Sequence, residues 1–178
     1  MKIVSFDGES NGLHGAVFAI GGVVIEDGRV TEEFFARCPI EGPVDEWVQG
    51  NVLPALADCG QTHGSAKAMR AAFWQWLTLP RGEAIVVADC RWPVEAGLFS
   101  ACIADLLSAC VADDPSRAFK GPYPLHEVAT FLLAADLDPR AKYAPLVLPD
   151  EPDRAHHPVF DAKVSALCVE LALGRLVR

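Results

Sequence analysis

The chain opens with Lys2-Ile3-Val4-Ser5-Phe6-Asp7-Gly8-Glu9-Ser10-Asn11-Gly12-Leu13, a β-prone apolar run that ends in two carboxylates and a turn. A second apolar run covers residues 16–26 and a third covers residues 29–38. Asp27 and Gly28 separate these two runs, and an Asp-Gly pair between apolar runs is the strongest short-range signal of a β-hairpin. The first 38 residues therefore predict one strand followed by a hairpin.

Beyond the hairpin, apolar residues recur mainly at helical spacing. They predict helices over residues 43–56, 65–77, about 93–110 and 128–135 and from Pro158 onward, with a buried strand over 84–88. Residues 112–125 carry turn signals, and residues 143–154 have the prolines and acids of an irregular loop. The order βββααβααα predicts an α/β or α+β layer fold with a mixed sheet. Without a long linker, residues 1–178 are expected to form a single domain.

The composition excludes several classes of protein. The 178 residues are 51% hydrophobic and 22% charged, which excludes a disordered chain, a coiled coil and collagen. No apolar run is long enough to span a bilayer. The net charge of −9 provides no basic surface for nucleic acid, so a polyanionic substrate would need cations supplied locally. Scattered cysteines without a CxxC pair predict reduced core thiols and a cytoplasmic location; they are Cys38, Cys59, Cys90, Cys102, Cys110 and Cys168.

Two acids at the end of the first predicted strand are the first candidate site. Asp7 and Glu9 are two residues apart, so in an extended chain their side chains leave the same face. Two carboxylates about 4 Å apart repel by about 4 kcal/mol at an effective dielectric constant of 20, and a cation relieves that repulsion. Carboxylate oxygens favour Mg²⁺ or Mn²⁺ over Zn²⁺. The alternative is a solvated strand end with no ligand.

The second candidate site precedes the last predicted helix. Pro158 suits the first position of that helix and Asp161 falls in its first turn, whereas His156 lies just outside it. A histidine that titrates near neutral pH on a loop segment can take a proton from a water molecule. The alternative is structural: His157 caps the helix, His156 is solvated, and Asp161 only complements the helix dipole.

Together these two clusters resemble the DEDDh, or DnaQ-like, 3′–5′ exonucleases of the ribonuclease H-like superfamily. The run from Phe6 to Leu13 is similar to the first family motif, Asp-x-Glu followed by a Gly-Leu turn. His156 and Asp161, followed by Ala162, are similar to the third motif, His-x4-Asp-Ala. The resemblance covers nearly the whole chain and implies a three-layer α/β domain whose mixed central sheet is flanked by helices.

The middle motif of this sequence departs from the family pattern, which has Asn-Ala-x-Phe-Asp after a buried strand. Aligning Leu98 and Phe99 with the family places Glu95 at the acidic position, whereas aligning the end of the strand favours Asp89. Glu95 is preferred because Pro93 would set it in a first helical turn, where a carboxylate is stabilised. Asp89 remains open as the rival, since sites in open α/β sheets gather at the carboxyl ends of strands.

The resemblance implies a phosphodiester hydrolase that uses two Mg²⁺ or Mn²⁺ ions and acts on the 3′ end of single-stranded DNA or RNA. It implies no membrane partner, and it allows the protein to be a homodimer. It implies that His156 is the general base and that Leu13 wedges against the terminal base. The implied metal ligands are Asp7, Glu9, Asp161 and Glu95; Asp7 would bridge the two ions, and Asp89 is the rival to Glu95. The expected substrate contacts are Gly12, Leu13 and Trp92. Two alternatives stay open: a catalytically degenerate exonuclease fold that binds nucleic acid or a protein, and an endonuclease that uses the same acids.

The remaining candidates carry weaker signals. His126 with Glu127 and Thr62 with His63 have no partners at a catalytic or metal-binding spacing, so they are expected to be structural. The paired histidines before Pro158 lack the further ligands of a zinc site. Three tryptophans at helical positions are expected in the core or at an interface; they are Trp47, Trp74 and Trp76.

Overall fold

A computed structural model describes residues 1–89, 91–109 and 124–177 of the chain. Its strands are β1 (Lys2–Ser10), β2 (Val17–Glu26), β3 (Arg29–Arg37), β4 (Ile85–Ala88) and β5 (His126–Glu127). Its helices are α1 (Glu46–Ala55), α2 (Ala66–Leu77), α3 (Ala96–Ala109), α4 (Val128–Ala134), α5 (Ala144–Val147) and α6 (Pro158–Leu176). A helical turn over Arg91–Glu95, interrupted by the extended backbone of Trp92, precedes α3.

The strands form one mixed sheet in the order β3-β2-β1-β4-β5. β1 pairs antiparallel with β2 and parallel with β4, and β5 extends the parallel half. The hairpin between β2 and β3 turns at Asp27 (φ 49°) and Gly28 (φ 76°), the left-handed backbone that a two-residue type I′ turn requires. The α/β fold class with a mixed sheet is therefore confirmed.

Helices cover both faces of the sheet because β1 is apolar on both sides. Val4 and Phe6 belong to the core shared with α1, α2 and α3, and Phe6 packs 5.2 Å from the ring of Phe73. Ile3 belongs to the second core, which is built with α4 and α6. Alternation along the strand puts Asp7 and Glu9 on the same face as Ile3, which is the face that α6 covers. This three-layer arrangement brings both ends of the chain to the same strand.

The predicted helices are confirmed in position, and polar side chains cap the starts of α1 and α2. The Asp45 carboxylate accepts hydrogen bonds from the amides of Trp47 and Val48 at the start of α1. The Ser65 hydroxyl accepts one from the amide of Ala68 at the start of α2. Pro158 occupies the first turn of α6, as its missing amide hydrogen allows.

Some predictions were wrong in detail, and others lie outside the described residues. The segment 143–154 is not wholly irregular, since residues 144–147 form the single helical turn α5. The two-residue strand β5 is too short to leave a periodic signal in the sequence. Of the cysteines, Cys38, Cys102 and Cys168 are buried free thiols and Cys59 is a half-buried one. Cys90, Cys110 and nearly all of the predicted turn 112–125 fall outside the described residues.

Candidate active site

The candidate site is a cleft of about 810 Å³ at the carboxyl ends of β1 and β4, which will be called the acidic cleft. Residues from four parts of the chain line it: the end of β1 with its turn, the start of α1, Asp89 with residues 92–95 after β4, and the start of α6. All the acids singled out from the sequence are present; they are Asp7, Glu9, Asp89, Glu95 and Asp161. His156, Gly12, Leu13 and Trp92 line the same cleft. The structure thus brings together every sequence-predicted site residue.

The close approach of α6 to the sheet explains how residues so far apart in sequence meet. Asp7 pairs with Gly21 of β2 across the sheet. A Cβ atom on Gly21 would lie only 2.2 Å from the Pro158 carbonyl carbon and the Val159 nitrogen. The first turn of α6 therefore rests directly on the sheet beside Asp7, and only glycine leaves room for that contact.

The start of α6 fixes the relation between His156 and Asp161. The backbone amide of His156 donates a 2.8 Å hydrogen bond to Oδ2 of Asp161. His156 adopts φ 67°, a left-handed conformation that is uncommon outside glycine. Its ring meets the Trp47 ring edge to face, with 5.1 Å between the ring centroids. One Asp161 oxygen is thus occupied by the preceding loop, and that loop holds the imidazole at the wall of the cleft.

The two rivals for the middle acid both line the cleft but differ in environment. Glu95 is only 4% exposed, and the nearby backbone amides of Glu95 itself and Gly8 favour its ionised form, although burial outweighs them. Asp89 follows β4 and is exposed. Glu95 is therefore the more rigidly held of the two, while Asp89 is the more accessible.

The carboxylates are costly to ionise together in the absence of a cation. Burial raises the pKa of Glu9 to about 8, and the charges of Asp161 and Glu95 add to that rise. Burial also raises the pKa of Glu95 to about 7 and that of Asp161 to about 7. The pKa of Asp7 is raised well above its usual value by burial and then by repulsion from Glu9. The pKa of Asp89 is likewise raised: although the residue is exposed at the cleft surface, the surrounding protein partly desolvates its carboxylate, and the charge of Glu127 adds to the rise. Such shifts are common at functional sites, where a ligand compensates the buried charge.

The donor set fits a divalent cation. One ligand atom each from Glu9, His156 and Asp161 lies within 4.8 Å of the others. Carboxylate oxygens dominate the cleft, as Mg²⁺ and Mn²⁺ prefer. The geometry gives His156 two possible roles, as a metal ligand or as a free base beside the metal.

Three apolar side chains surround the opening of the acidic cleft. Leu13 is 71% exposed, Trp92 is 70% exposed and Trp47 is 55% exposed. Trp47 was expected in the core or at an interface, and the core position is wrong, because helical periodicity shows which residues share a face but not what that face meets. Asp45, which caps α1, also lines the cleft and was missed. The Asn11 side chain links the β1–β2 turn to α1 by accepting a hydrogen bond from the Asp45 amide and donating one to the Pro43 carbonyl.

The weaker candidates lie elsewhere. His126 and Glu127 form β5, and the Thr62 hydroxyl bonds to the His63 ring at 2.8 Å. His157 is buried, with Nε2 3.4 Å from the Cys59 sulfur, and its side chain makes no capping hydrogen bond to α6. Trp74 is in the core and Trp76 is stacked against Phe34, as expected.

Comparison with solved structures identifies the fold. Exonuclease I matches with a TM-score of 0.61 and 12% identity over 99% of this chain, and a product-bound exonuclease I matches with the same TM-score and 13% identity over 98% of it. These matches cover 40% and 44% of the exonuclease I chains, so this chain spans about two fifths of their length. Exonuclease X in complex with 5′ overhanging duplex DNA matches with a TM-score of 0.52 and 16% identity, over 97% of this chain and 90% of the other. No protein-family model and no curated protein matches the sequence. At these identities the likeness is one of architecture, and the chain has the α/β fold of these exonucleases.

Proposed function

We propose that this protein is a metal-dependent 3′–5′ exonuclease that hydrolyses the terminal phosphodiester bond of DNA or RNA. The observation that carries the proposal is the convergence of five carboxylates and His156 in one cleft of an exonuclease-like fold. The architecture alone is compatible with many functions, so the argument rests on the chemistry of the cleft.

The carboxylates would hold two divalent ions. Asp7, central in β1, would contact both; Glu9 and Asp161 would complete one ion site, and Glu95 would serve the other. Two divalent ions would neutralise the four carboxylates that hold them, which removes most of the negative charge of the cleft and lets a phosphodiester approach despite the net charge of −9. When bound, such a pair of ions lowers the pKa of the attacking water and stabilises the leaving oxygen. We prefer Glu95 to Asp89 for the second site because Glu95 is buried and lies near backbone amides that favour its ionised form.

His156 would accept the proton of the attacking water. It stands at the edge of the carboxylate cluster on the loop before α6, and its ring rests on Trp47. An imidazole ring nitrogen can receive a proton from water and release it again, which is the task of a general base. The Asp161 hydrogen bond to the His156 amide keeps that loop close to the metal ligands.

The substrate would be a nucleic acid strand with a free 3′ end. Exonuclease X has been solved with duplex DNA that carries a 5′ overhang, and we propose that this chain also binds nucleic acid. Leu13 and Trp92 offer exposed apolar surface on which a terminal base can pack, and Gly12 lets the turn beside them lie close to the ligand.

The direct test is digestion of a 5′-labelled single strand with Mg²⁺ or Mn²⁺ between pH 6 and pH 9. Stepwise shortening from the 3′ end that EDTA abolishes is expected. Asp7→Asn should abolish shortening, whereas Asp58→Asn, the same change of charge at an exposed residue outside the cleft, should not. Absence of shortening under every condition would overturn the proposal, and cleavage of a circular single strand would instead show an endonuclease.

A measurement of metal binding distinguishes the proposed exonuclease from the alternative, a non-catalytic binding protein. An ion present at a hundredfold its dissociation constant stabilises the folded chain by about 2.7 kcal/mol. If Mn²⁺ leaves the melting temperature unchanged and no digestion occurs, the catalytic assignment fails and the binding role gains.

A further inference from the structure

A cysteine and a histidine outside the acidic cleft form what will be called the Cys59–His157 pair. The Cys59 sulfur is 3.4 Å from Nε2 of His157, although the two residues are 98 positions apart in sequence. Three other described cysteines, Cys38, Cys102 and Cys168, are buried, whereas Cys59 is half-buried. Burial raises the pKa of those three thiols, which makes them poor nucleophiles. Among the described cysteines, Cys59 is therefore the one that a reagent in solution can reach.

The histidine of the pair is held with one ring nitrogen toward the sulfur. His157 is 8% exposed, and its ring stacks on Phe35 with 5.9 Å between the ring centroids. Its Nδ1 atom is buried and has no hydrogen-bond partner in the described part of the chain. A neutral imidazole carries one N–H group, and a buried N–H group without a partner is costly. This cost favours the tautomer with the hydrogen on Nε2, from which it is donated to the Cys59 sulfur.

An arginine adds positive charge beside the same cysteine. Nη1 of Arg37 donates 2.7 Å hydrogen bonds to the backbone carbonyls of Leu56 and Cys59. These two bonds hold the guanidinium at the turn that follows α1. A nearby cation and a hydrogen-bond donor both stabilise a thiolate, which is the nucleophilic form of cysteine. Cys59 thus combines access from solvent with the two kinds of neighbour that activate a thiol.

The histidine also connects the Cys59–His157 pair to the acidic cleft. The His157 amide donates a 2.9 Å hydrogen bond to the Arg154 carbonyl, and the His157 carbonyl accepts a 3.0 Å hydrogen bond from the Asp161 amide. His156, the preceding residue, lines the cleft together with Asp161. A displacement of His157 would therefore move the first turn of α6 and the loop that carries His156.

The surface near Cys59 has room for an attached group, but the contact with the histidine does not. A cavity of about 500 Å³ lies between the end of α1 and the loop before His156. Asp58, the residue before Cys59, and Ala155, the residue before His156, both line it. The 3.4 Å contact between the sulfur and Nε2 of His157 leaves no space for a further atom. A group bound to the Cys59 sulfur would thus have to break that contact.

We propose that Cys59 is a site of reversible thiolation by small disulfides, and that the attached group weakens metal binding in the acidic cleft by displacing His157. In the reaction the Cys59 thiolate attacks one sulfur of the disulfide, a new S–S bond forms, and the original S–S bond breaks. The other half of the disulfide leaves as a thiolate and takes up the proton that Cys59 has lost. A reducing thiol reverses the step by the same exchange. The effect on metal binding rests on the proposed function, whereas the thiolation itself does not.

The first test measures the rate at which oxidised glutathione modifies Cys59 in the full chain, with peptide mass mapping to assign the modified cysteine. His157→Phe keeps an aromatic ring against Phe35 but removes Nε2, and should slow the reaction of Cys59 by about tenfold. The matched control is Ala57→Cys in a Cys59→Ser background, which places a thiol on the same turn two residues from the contact with His157. The introduced cysteine should react about tenfold more slowly than Cys59, although position 57 is the more exposed.

Two results would overturn the assignment of the site. One is a rate for Cys59 that His157→Phe leaves unchanged, and the other is a rate no higher than that of the cysteine introduced by Ala57→Cys. The second comparison decides the question by itself if His157→Phe does not fold.

The second test measures the Mn²⁺ dissociation constant by calorimetry before and after thiolation. We expect thiolation to weaken Mn²⁺ binding at least tenfold, and reduction followed by removal of the reductant to restore it. Cys59→Ser, treated in the same way, retains every other cysteine and should keep its affinity. A loss of affinity in both proteins, or in neither, would overturn the proposed effect on the cleft. If the unmodified protein binds no Mn²⁺, the proposed function fails, while the thiolation rates still decide the site at Cys59.

Discussion

The structure allows the imidazole of His156 either to bind a metal ion or to act as a general base beside it. It lies within 4.8 Å of ligand atoms of Glu9 and Asp161, and it rests on the Trp47 ring. A base that only removes a proton contributes to turnover without contributing to metal affinity, whereas a ligand contributes to both. The two roles can therefore be separated by measuring both quantities on one variant.

We predict that His156→Ala lowers kcat by about a hundredfold or more, the usual loss for a general base, while the Mn²⁺ dissociation constant changes by less than twofold. Steady-state kinetics and calorimetry on the same preparation measure the two. His63→Ala serves as the control, because His63 lies outside the acidic cleft and bonds to Thr62. Weakened Mn²⁺ binding in His156→Ala would show that His156 is a ligand instead.

The middle acid gives a second prediction at the scale of single residues. Glu95→Gln should lower kcat at least tenfold more than Asp89→Asn does, because the Glu95 side chain is held in place by burial while Asp89 is exposed. Both variants remove one negative charge, so each is the control for the other. Turnover that falls mainly in Asp89→Asn would assign the second ion site to Asp89.

At the scale of elements, the contact between β2 and α6 determines whether the two halves of the site meet. The first turn of α6 lies against the backbone of Gly21, with no room for a side chain. We predict that Gly21→Ala destabilises the protein by about 1–3 kcal/mol through overpacking, and that metal affinity falls because Asp161 moves away from Asp7. Thermal melting with and without Mn²⁺ measures both effects.

Gly50→Ala is the matched control for this substitution. Gly50 lies in α1 with nothing within 4 Å of an added Cβ, so the helix should gain up to about 1 kcal/mol and metal affinity should not change. If Gly21→Ala melts like the unmodified protein and binds Mn²⁺ normally, then the close packing of α6 does not position the site.

The same elements show how far the sequence alone predicts this fold. The first three strands and the hairpin follow from apolar runs and an Asp-Gly pair, which are local signals. The Asp7–Glu9 and His156–Asp161 spacings predict the candidate acids and the histidine. The position of Trp47 against His156 and the need for glycine at position 21 depend on how distant elements pack, which local patterns do not encode. The sequence does not decide whether Asp89 or Glu95 is the middle acid of the site, because the helical turn that carries Glu95 is irregular.

At the scale of the whole molecule, the buried carboxylates link stability to pH. In the folded chain the pKa of Glu9 is about 8 and those of Glu95 and Asp161 are about 7, whereas the unfolded chain would have ordinary values near 4. Between these pH values the folded state binds more protons than the unfolded state, so the free energy of unfolding falls as pH rises.

Two other kinds of group limit the pH range in which the carboxylates alone determine this slope. His157 has a lowered pKa because of burial, so it destabilises the fold only as pH falls below about 6.5, the lower limit of the range. Burial raises the pKa of the Cys102 and Cys168 thiols to about 12. These thiols lower the stability of the fold only as pH approaches the ordinary thiol pKa of about 8.5, which is the upper limit of the range.

We therefore predict that, in EDTA, the contributions of Glu9, Glu95 and Asp161 together lower the free energy of unfolding by about 3–4 kcal/mol between pH 6.5 and pH 8.5, since one pKa unit corresponds to 1.36 kcal/mol. Mn²⁺ should restore stability most at pH 8.5, because it binds the ionised carboxylates that are otherwise unfavourable. Urea unfolding at several pH values, with and without Mn²⁺, measures both effects. Glu9→Gln should flatten the slope in EDTA and weaken the response to Mn²⁺, whereas the exposed Glu41→Gln should alter neither. A stability in EDTA that is constant or rises across this window would mean that the acids do not carry the raised pKa values on which a cation-dependent site depends.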